Sequence, residues 1–506
     1  MERSTESIDA GQVLALLPDW LREALARVQA RLRGELYLSG GAMRDLLLGQ
    51  TPTDIDLTVA AGAQNWAGRL AALTQGALVP LGRQEDAARV VSRGVTVDIA
   101  SFRESTRTIT DDLRRRDLTV NALACRIDPL LADPRPDGMA QLAVLDPTGG
   151  VGDLDLGLIR VTSASSFSDD PLRLLRVFRF AAMLGFAVET ETMALVGREG
   201  HLVMRVAAER IAHELDLIMA TDAAGATVEA MAISGLLWAV IPELAAGVGM
   251  TQPKSHHLDV WGHSLEALHQ MELILAAPHS FFPGLGEEMA ALLQSSPQQR
   301  LRLKWAALLH DLGKPATRGL REDKGGRITF YNHDREGARV FAELALRLRW
   351  SNEARDQVGQ LIAGHMRPFH LANVARAGTL TLRAAIRMLR AAGDGLEGLF
   401  LLAMADSLAG QGTERVAGME EELAELYGHL RRIKATHVTP VRSAPPLLTG
   451  RDLIDRLRLS PGPLFKRILA AVEEGYMIGE LRDREDALRL AKAMAIQEQG
   501  APEAGR

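Results

Sequence analysis

The stretch from Ser39 to Asp56 narrows most what this chain can fold into. It holds adjacent glycines, Gly40 and Gly41, and then two aspartates separated by one residue, Asp54 and Asp56. Leu36 to Leu38 is a short apolar run suited to a buried strand, and Ala42 to Gly49 reads as the helix that follows the glycines. Glycines at such a turn let backbone N–H groups close on phosphate oxygens. Asp54, Ile55, Asp56 and Leu57 alternate polar and apolar, so a second strand directs both carboxylates to one face and both aliphatics to the core.

Two carboxylates on one face can hold a pair of divalent ions, and hard oxygen ligands suit Mg²⁺. In-line attack on an α-phosphate uses that arrangement, one ion activating the attacking hydroxyl and the other neutralising the leaving pyrophosphate. A glycine pair alone is usually a structural turn and an Asp-x-Asp alone a solvated strand edge; together, in this order and spacing, they point to nucleotidyl transfer. Val95 to Ala100 is another alternating stretch. Its Asp98 either completes the acidic site from a neighbouring strand or stands as an exposed strand carboxylate.

A chain of 506 residues with 47% hydrophobic content has room for three or four domains, each with its own core. The single cysteine, Cys125, lies in an apolar stretch, which leaves neither disulfides nor a Cys-based zinc site and fits a reducing cytoplasm. The amino terminus lacks the basic-then-apolar profile of a secretion signal, and the most apolar window, Met231 to Ile241, is too short to span a bilayer, so no membrane role is expected. With a net charge of −6, RNA contact is expected at a local patch. Aromatic content of 4% disfavours single-strand binding by stacking alone.

Up to about residue 130 the chain mixes short β-like runs with helices, whereas from Pro171 onward the period is mostly helical. This is an α+β pattern, a mixed-sheet head followed by helical segments, with the divisions 1–160, 161–250, 251–410 and 411–506. No internal repeat is visible, and only the two ends look disordered.

Arg114, Arg115 and Arg116 precede Asp117 and Asn121. Arginine forks suit phosphate and ribose oxygens, while Asp and Asn can fix those forks or bind a sugar hydroxyl. Further on, Asp169 reads as a helix N-cap with Pro171 in the first turn, and Arg173, Arg176 and Arg179 form a basic stripe opposite Leu174, Leu175 and Phe178. Asp170 and Arg173 could together read a base edge. The carboxylate accepts from the exocyclic amine of cytosine or adenine, whereas uracil or guanine presents a carbonyl at a cost of about 1–3 kcal/mol. Glu209 and Arg210 fall at a helix start where they can brace that segment.

These segments resemble, in order and from about Tyr37 to Leu215, the bacterial class of tRNA nucleotidyltransferases, the CCA-adding enzymes, and their relatives the bacterial poly(A) polymerases. Gly40, Gly41, Arg44, Asp45, Asp54 and Asp56 match the family's metal motif, and Arg115, Arg116, Asp117 and Asn121 its ribose motif. Asp170 and Arg173 fall on its amino-acid template for CTP and ATP, and Glu209 and Arg210 on its last head-and-neck motif. The resemblance implies a polymerase-beta-like nucleotidyltransferase head (1–160), a helical neck that selects the base and binds RNA (161–250), an HD-type domain (251–410) and a helical tail (411–506). It also implies Mg²⁺, no nucleic-acid template, and the 3′ end of tRNA as primer.

One departure from the family bears on the product. Only Glu104 to Asp112 separate Arg103 from Leu113, where many CCA-adding members carry a longer loop that helps the switch from C to A. The short connection is similar to members that add only the two cytidines, so C addition is the expectation, either CC or the full CCA. The alternatives are a poly(A) polymerase, or chiefly an HD metallophosphohydrolase acting on RNA ends.

His263, His310, Asp311, His333, His365 and Asp406 resemble the HD phosphohydrolase set. Imidazoles and carboxylates can meet at a divalent transition metal that activates water. Adjacent helical residues do not share a face, so His310 and Asp311 can both bind only near a helix end, which Gly313 and Pro315 supply. Gly450 and Gly462 read as turns beside helix starts in a tail that packs and docks RNA.

Overall fold

The computed structural model describes residues 7–81, 86–103, 106–132, 141–324 and 326–499. The two ends read as disordered (1–6 and 500–506) lie outside the described residues, as do Glu104 and Ser105 of the short connection. The chain divides into two compact units, Met1–Val240 and Ile241–Arg506.

The first unit is built on one mixed sheet whose strands run β1 (Ser7–Asp9), β2 (Leu36–Ser39), β3 (Ile55–Val59), β4 (Ala77–Pro80), β5 (Ala87–Ser92), β6 (Val95–Ser101), β7 (Ala124–Arg126) and β8 (Gln141–Leu145), in spatial order 1-8-7-2-3-6-5-4. Every pairing is antiparallel except β3 with β6. β2 is buried along its whole length, as its apolar run requires, and helix α1 (Gly40–Leu47) follows it directly. Helix α2 (Ala63–Thr74) follows β3 and buries Trp66, Ala67 and Leu70, packing on β5 and β6. Beyond the sheet come α3 (Arg173–Leu184), which buries Leu174, Leu175 and Phe178 as its spacing predicts, and α4 (Ala208–Ala220).

Asp169 does not cap α3. It closes a one-turn helix, Ser166–Asp169, and α3 begins at Arg173 after Pro171. Asp170 instead turns its Oδ1 back to accept the Leu172 N–H at 3.2 Å.

Among its described residues, the second unit is helical apart from the hairpin Arg318–Arg321/Arg327–Phe330. Its core is formed by α5 (Val260–Ala276), α6 (Pro297–Leu309) and α9 (Leu396–Ala409), with α7 (His333–Arg347) and α8 (Asn352–Gly364) packed alongside. α9 is apolar around its circumference and buried from Leu396 through Asp406, the behaviour of a central helix. The tail has a core of its own, around Leu448, Leu453, Ile468 and Val472. Both turn glycines lie at helix starts, Gly450 as the first residue of Gly450–Asp455 and Gly462 as the cap of α10 (Pro463–Met477).

α6 ends at Leu309, so His310 and Asp311 stand in the turn beyond it, as anticipated from Gly313. Gly313 is required there by proximity. A Cβ at this position would lie 2.1 Å from the carbonyl oxygen of His333 and 2.4 Å from the amide nitrogen of Gly337, both backbone atoms. Gly313→Ala is therefore expected to destabilise the second unit by about 3 kcal/mol, at the upper end of overpacking costs, as read by urea unfolding.

Candidate active site and metal centre

In the first unit the parallel pairing of β3 with β6 sets Asp56 opposite Asp98. Asp54 immediately precedes β3, and all three acids line a cleft of about 560 Å³ together with Gly40, Gly41, Arg44, Asp117 and Asn121. The glycines are there because Asp56 comes close. Its Oδ2 accepts the Ala42 N–H at 3.2 Å, and a Cβ on Gly40, at φ +67°, would lie 2.9 Å from Arg116 Nη1 and 3.4 Å from the same Oδ2. Burial pushes the Asp56 carboxyl up; the Ala42 amide opposes this and Asp98 adds to it.

Arg89, which the sequence reading overlooked, offsets this like-charge crowding. It lies opposite Asp98 on β5 and holds that carboxylate through Nε at 2.8 Å and Nη2 at 2.9 Å, while the same Nη2 is 3.5 Å from Asp54 Oδ2. Its signal was available: Ala88, Arg89 and Val90 alternate, which puts Arg89 on one face of a strand.

The ribose-motif residues separate into different tasks. Arg116 is buried, with its guanidinium 3.3 Å from Asp112 Oδ2 and 3.0 Å from the hydroxyl oxygens of Ser39 and Thr58, so it fastens β2 and β3 together beneath the glycine turn. Arg44 donates to Asn121 Oδ1 at 2.8 Å and lies over the Phe180 ring. Asp117 is bound by Arg176, Nε at 2.7 Å and Nη2 at 2.5 Å, and these side chains form one wall of the cleft. Arg115 is exposed and outside that lining; its carbonyl oxygen accepts from Arg173 Nη2 at 2.8 Å.

The arginine stripe of α3 is half-buried, with each member engaged inside the unit. Arg173 also reaches Ser166 Oγ at 3.1 Å, Arg176 holds Asp117, and Arg179 Nε lies 3.2 Å from Glu214 Oε2. Asp170 and Arg173 do not line the acidic cleft. Arg210 Nη2 stands 3.7 Å from Asp170 Oδ2, the bracing contact expected of that segment.

In the second unit the six HD residues come together. His263 Nε2 is 3.0 Å from Asp406 Oδ1, His310 Nε2 is 3.1 Å from Asp311 Oδ2, and His333 Nε2 is 3.1 Å from His365 Nε2. The Nδ1 atoms of His310, His333 and His365 each face a carbonyl oxygen three residues back, at 2.9, 2.7 and 2.7 Å. Those carbonyls fix the proton on Nδ1 and leave Nε2 as the ligand atom. His310 Nε2 and both Asp311 oxygens are buried without a well-aligned hydrogen bond, which is what a divalent ion would satisfy.

Burial opposes ionisation of Asp311 and Asp406, yet His310 and its neighbours hold both well below the usual carboxylate range. Burial, with His310 and His333 nearby, pushes His365 down to about 4, so its imidazole is neutral and fit to ligate. Two residues missed in the sequence border the cluster. His256 stacks edge-on against His263, and Lys314 Nζ lies 2.5 Å from Asp311 Oδ2 and 2.6 Å from Gln252 Oε1. The spacing of Lys314 three residues after Asp311 was the available clue. Among the described residues, no helix is long and apolar enough to cross a membrane.

Three family models match the chain in succession: the Poly A polymerase head domain over residues 36–160, the probable RNA and SrmB-binding site of polymerase A over 185–247, and the HD domain over 260–409. An A-adding tRNA nucleotidyltransferase of Deinococcus radiodurans is 32% identical over 472 residues, covering 92% of this chain and 96% of the relative. A CC-adding tRNA nucleotidyltransferase of Thermus thermophilus is 30% identical over 453 residues, covering 88% and 91%. The solved complex of a CCA-adding enzyme with CTP shares the fold at a TM-score of 0.62 and 20% identity, over 99% of this chain and 100% of that one. The chain belongs to the tRNA nucleotidyltransferase family.

The pair Asp117–Arg176 should show itself in stability. Because Arg176 is about a third exposed, Asp117→Asn is expected to cost about 2 kcal/mol, below the ~3–5 kcal/mol of a fully enclosed pair. Burial would raise the Asp117 carboxyl, but Arg176 holds it far below the ordinary range. A depressed carboxylate contributes above its unfolded pKa and loses that contribution as pH falls through its folded one. Urea unfolding should therefore show the gap between wild type and Asp117→Asn at pH 7, narrowing below about pH 4.

Proposed function

We propose that the protein adds nucleotides from CTP and ATP to the 3′ end of tRNA, without a nucleic-acid template, by in-line phosphoryl transfer in the cleft of the first unit. The observation that supports this most directly is the meeting of Asp54, Asp56 and Asp98 from adjacent strands beside the Gly40–Gly41 turn. Relatives spanning nearly the whole chain carry A-adding and CC-adding names. A donor set made only of carboxylate oxygens fits Mg²⁺. When bound, Mg²⁺ acidifies the attacking 3′ hydroxyl and neutralises the departing pyrophosphate.

The chain's own residues do the rest. Asp54, Asp56 and Asp98 hold the charge that the ions need, and Gly40 and Gly41 let the backbone approach the triphosphate. Arg44, Asn121, Asp117 and Arg176 shape the wall on which ribose and phosphate oxygens rest, while Arg116 supports the turn and Arg115 stands exposed outside the lining. The attacking O3′ forms its bond to the α-phosphorus as the bond from that phosphorus to pyrophosphate breaks, and the hydroxyl proton leaves to solvent. Asp170 and Arg173 serve as the base-reading pair, with Arg173 giving up its contacts to Arg115 and Ser166 when a base is engaged; Arg179 positions α3 through Glu214.

We keep the division of the chain into head 1–160, neck 161–250, HD domain 251–410 and tail 411–506, and we place the protein in the cytoplasm with its tRNA substrate. We assign the HD cluster to a divalent transition metal, because its donors are mainly imidazole, and read it as an accessory phosphohydrolase.

Extension of tRNA ending at the discriminator base, with CTP alone, ATP alone and both, tests the first reading. Asp56→Ala should reduce incorporation by at least about 10³-fold, since it removes an ion ligand on which transition-state charge depends. Long A tails on unrelated RNA with ATP alone would overturn the tRNA assignment. Metal-dependent release of phosphate from model phosphomonoesters should vanish in His310→Ala and persist in Asp56→Ala, whereas extension should show the reverse.

A further inference from the structure

Arg89 meets the acids of the cleft in two different ways. Its neighbours on β5, Ala88 and Val90, are buried, so the strand is fixed and its alternation turns Arg89 to the face that carries Asp98 and Asp56. On Asp98 it closes a two-pronged fork, Nε to Oδ1 at 2.8 Å and Nη2 to Oδ2 at 2.9 Å. That is the planar, charge-assisted geometry in which arginine binds a carboxylate most firmly. On Asp54 it has one contact, Nη2 to Oδ2 at 3.5 Å, longer than a well-formed hydrogen bond.

The two acids differ as well. Asp98 lies within β6 and both of its oxygens accept from the fork. Asp54 stands just before β3, outside the strand pairing, with a side chain 41% exposed. Its carboxylate can turn away from Arg89 at the cost of one long contact, whereas Asp98 would give up two short ones. Arg116, the other cation acting on Asp56, is buried on Asp112, Ser39 and Thr58 and has no such freedom.

We propose that Arg89 is a positioning residue of the transfer site that engages Asp54 until a divalent ion takes that carboxylate: the fork holds Asp98 throughout, and the contact to Asp54 is given up when the ion arrives. The proposal rests on the reading of this cleft as the site of nucleotidyl transfer and adds a resident competitor to it. A fixed unit charge beside the acids has two opposed effects. It holds like charges together before any ion binds, and it repels the ions themselves. Ion affinity is thereby exchanged for geometry, on which in-line transfer depends.

Mn²⁺ titration of the full chain, followed by electron paramagnetic resonance of the free ion, tests this. The binding that Asp56→Ala abolishes reports the cleft and sets aside ions taken up by the helical unit. Arg89→Gln removes the charge and should tighten that binding about 10-fold, the weight of a unit charge acting on a divalent ion across a few ångströms of solvent. It should nevertheless slow tRNA extension at saturating Mg²⁺ by about 10–100-fold, because Asp98 loses its fork. Arg89→Lys keeps the charge without the fork, so its Mn²⁺ affinity should match wild type while extension stays slow. Unchanged or weaker Mn²⁺ binding in Arg89→Gln, or extension by Arg89→Lys at the wild-type rate, overturns the proposal and leaves the transfer reading standing. If Arg89→Gln does not fold, Arg89→Lys decides. Binding and extension both intact in Asp56→Ala would overturn the reading on which the proposal rests.

Discussion

Three carboxylates crowded into one cleft repel each other, and the first unit is organised around managing that repulsion. The parallel pairing of β3 and β6 makes it unavoidable, since it fixes Asp56 and Asp98 as direct neighbours. Two cations hold the arrangement from opposite sides. Arg89 clamps Asp98 from β5, and Arg116, anchored on Asp112, Ser39 and Thr58, supports the turn that gives Asp56 its backbone partner at Ala42. Such a site is poised for divalent ions, because added positive charge relieves a strain that is already built in.

The acidic pair, the glycine turn and the HD residues were legible because each is a short pattern whose spacing maps onto one element. Period-two alternation placed Asp56 and Asp98 on strands, and a helix end was needed for His310 and Asp311. What escaped were contributions whose meaning depends on a partner elsewhere. Arg89 matters through its register with Asp98, and His256 through its grouping with His263 and the distant Asp406. The alternation around Arg89 was visible, but nothing local says which strand becomes its neighbour.

The arginine stripe of α3 shows the same limit from the other side. Three-residue spacing correctly aligned Arg173, Arg176 and Arg179 and correctly buried Leu174, Leu175 and Phe178. It could not show that the arginines face carbonyls and carboxylates of their own unit, because a basic stripe toward solvent and one toward an acidic surface share a single helical pattern. The N-cap moved for a related reason. Asp170 accepts the Leu172 amide beside Pro171, and this turn delays the helix by several residues.

That inward commitment bears on how a polyanion could be approached. On a chain of net charge −6, cations that face internal acids contribute little field at a distance. Encounter would then depend less on long-range attraction than on close matching of shape and short-range contact, and association of this type is comparatively tolerant of ionic strength.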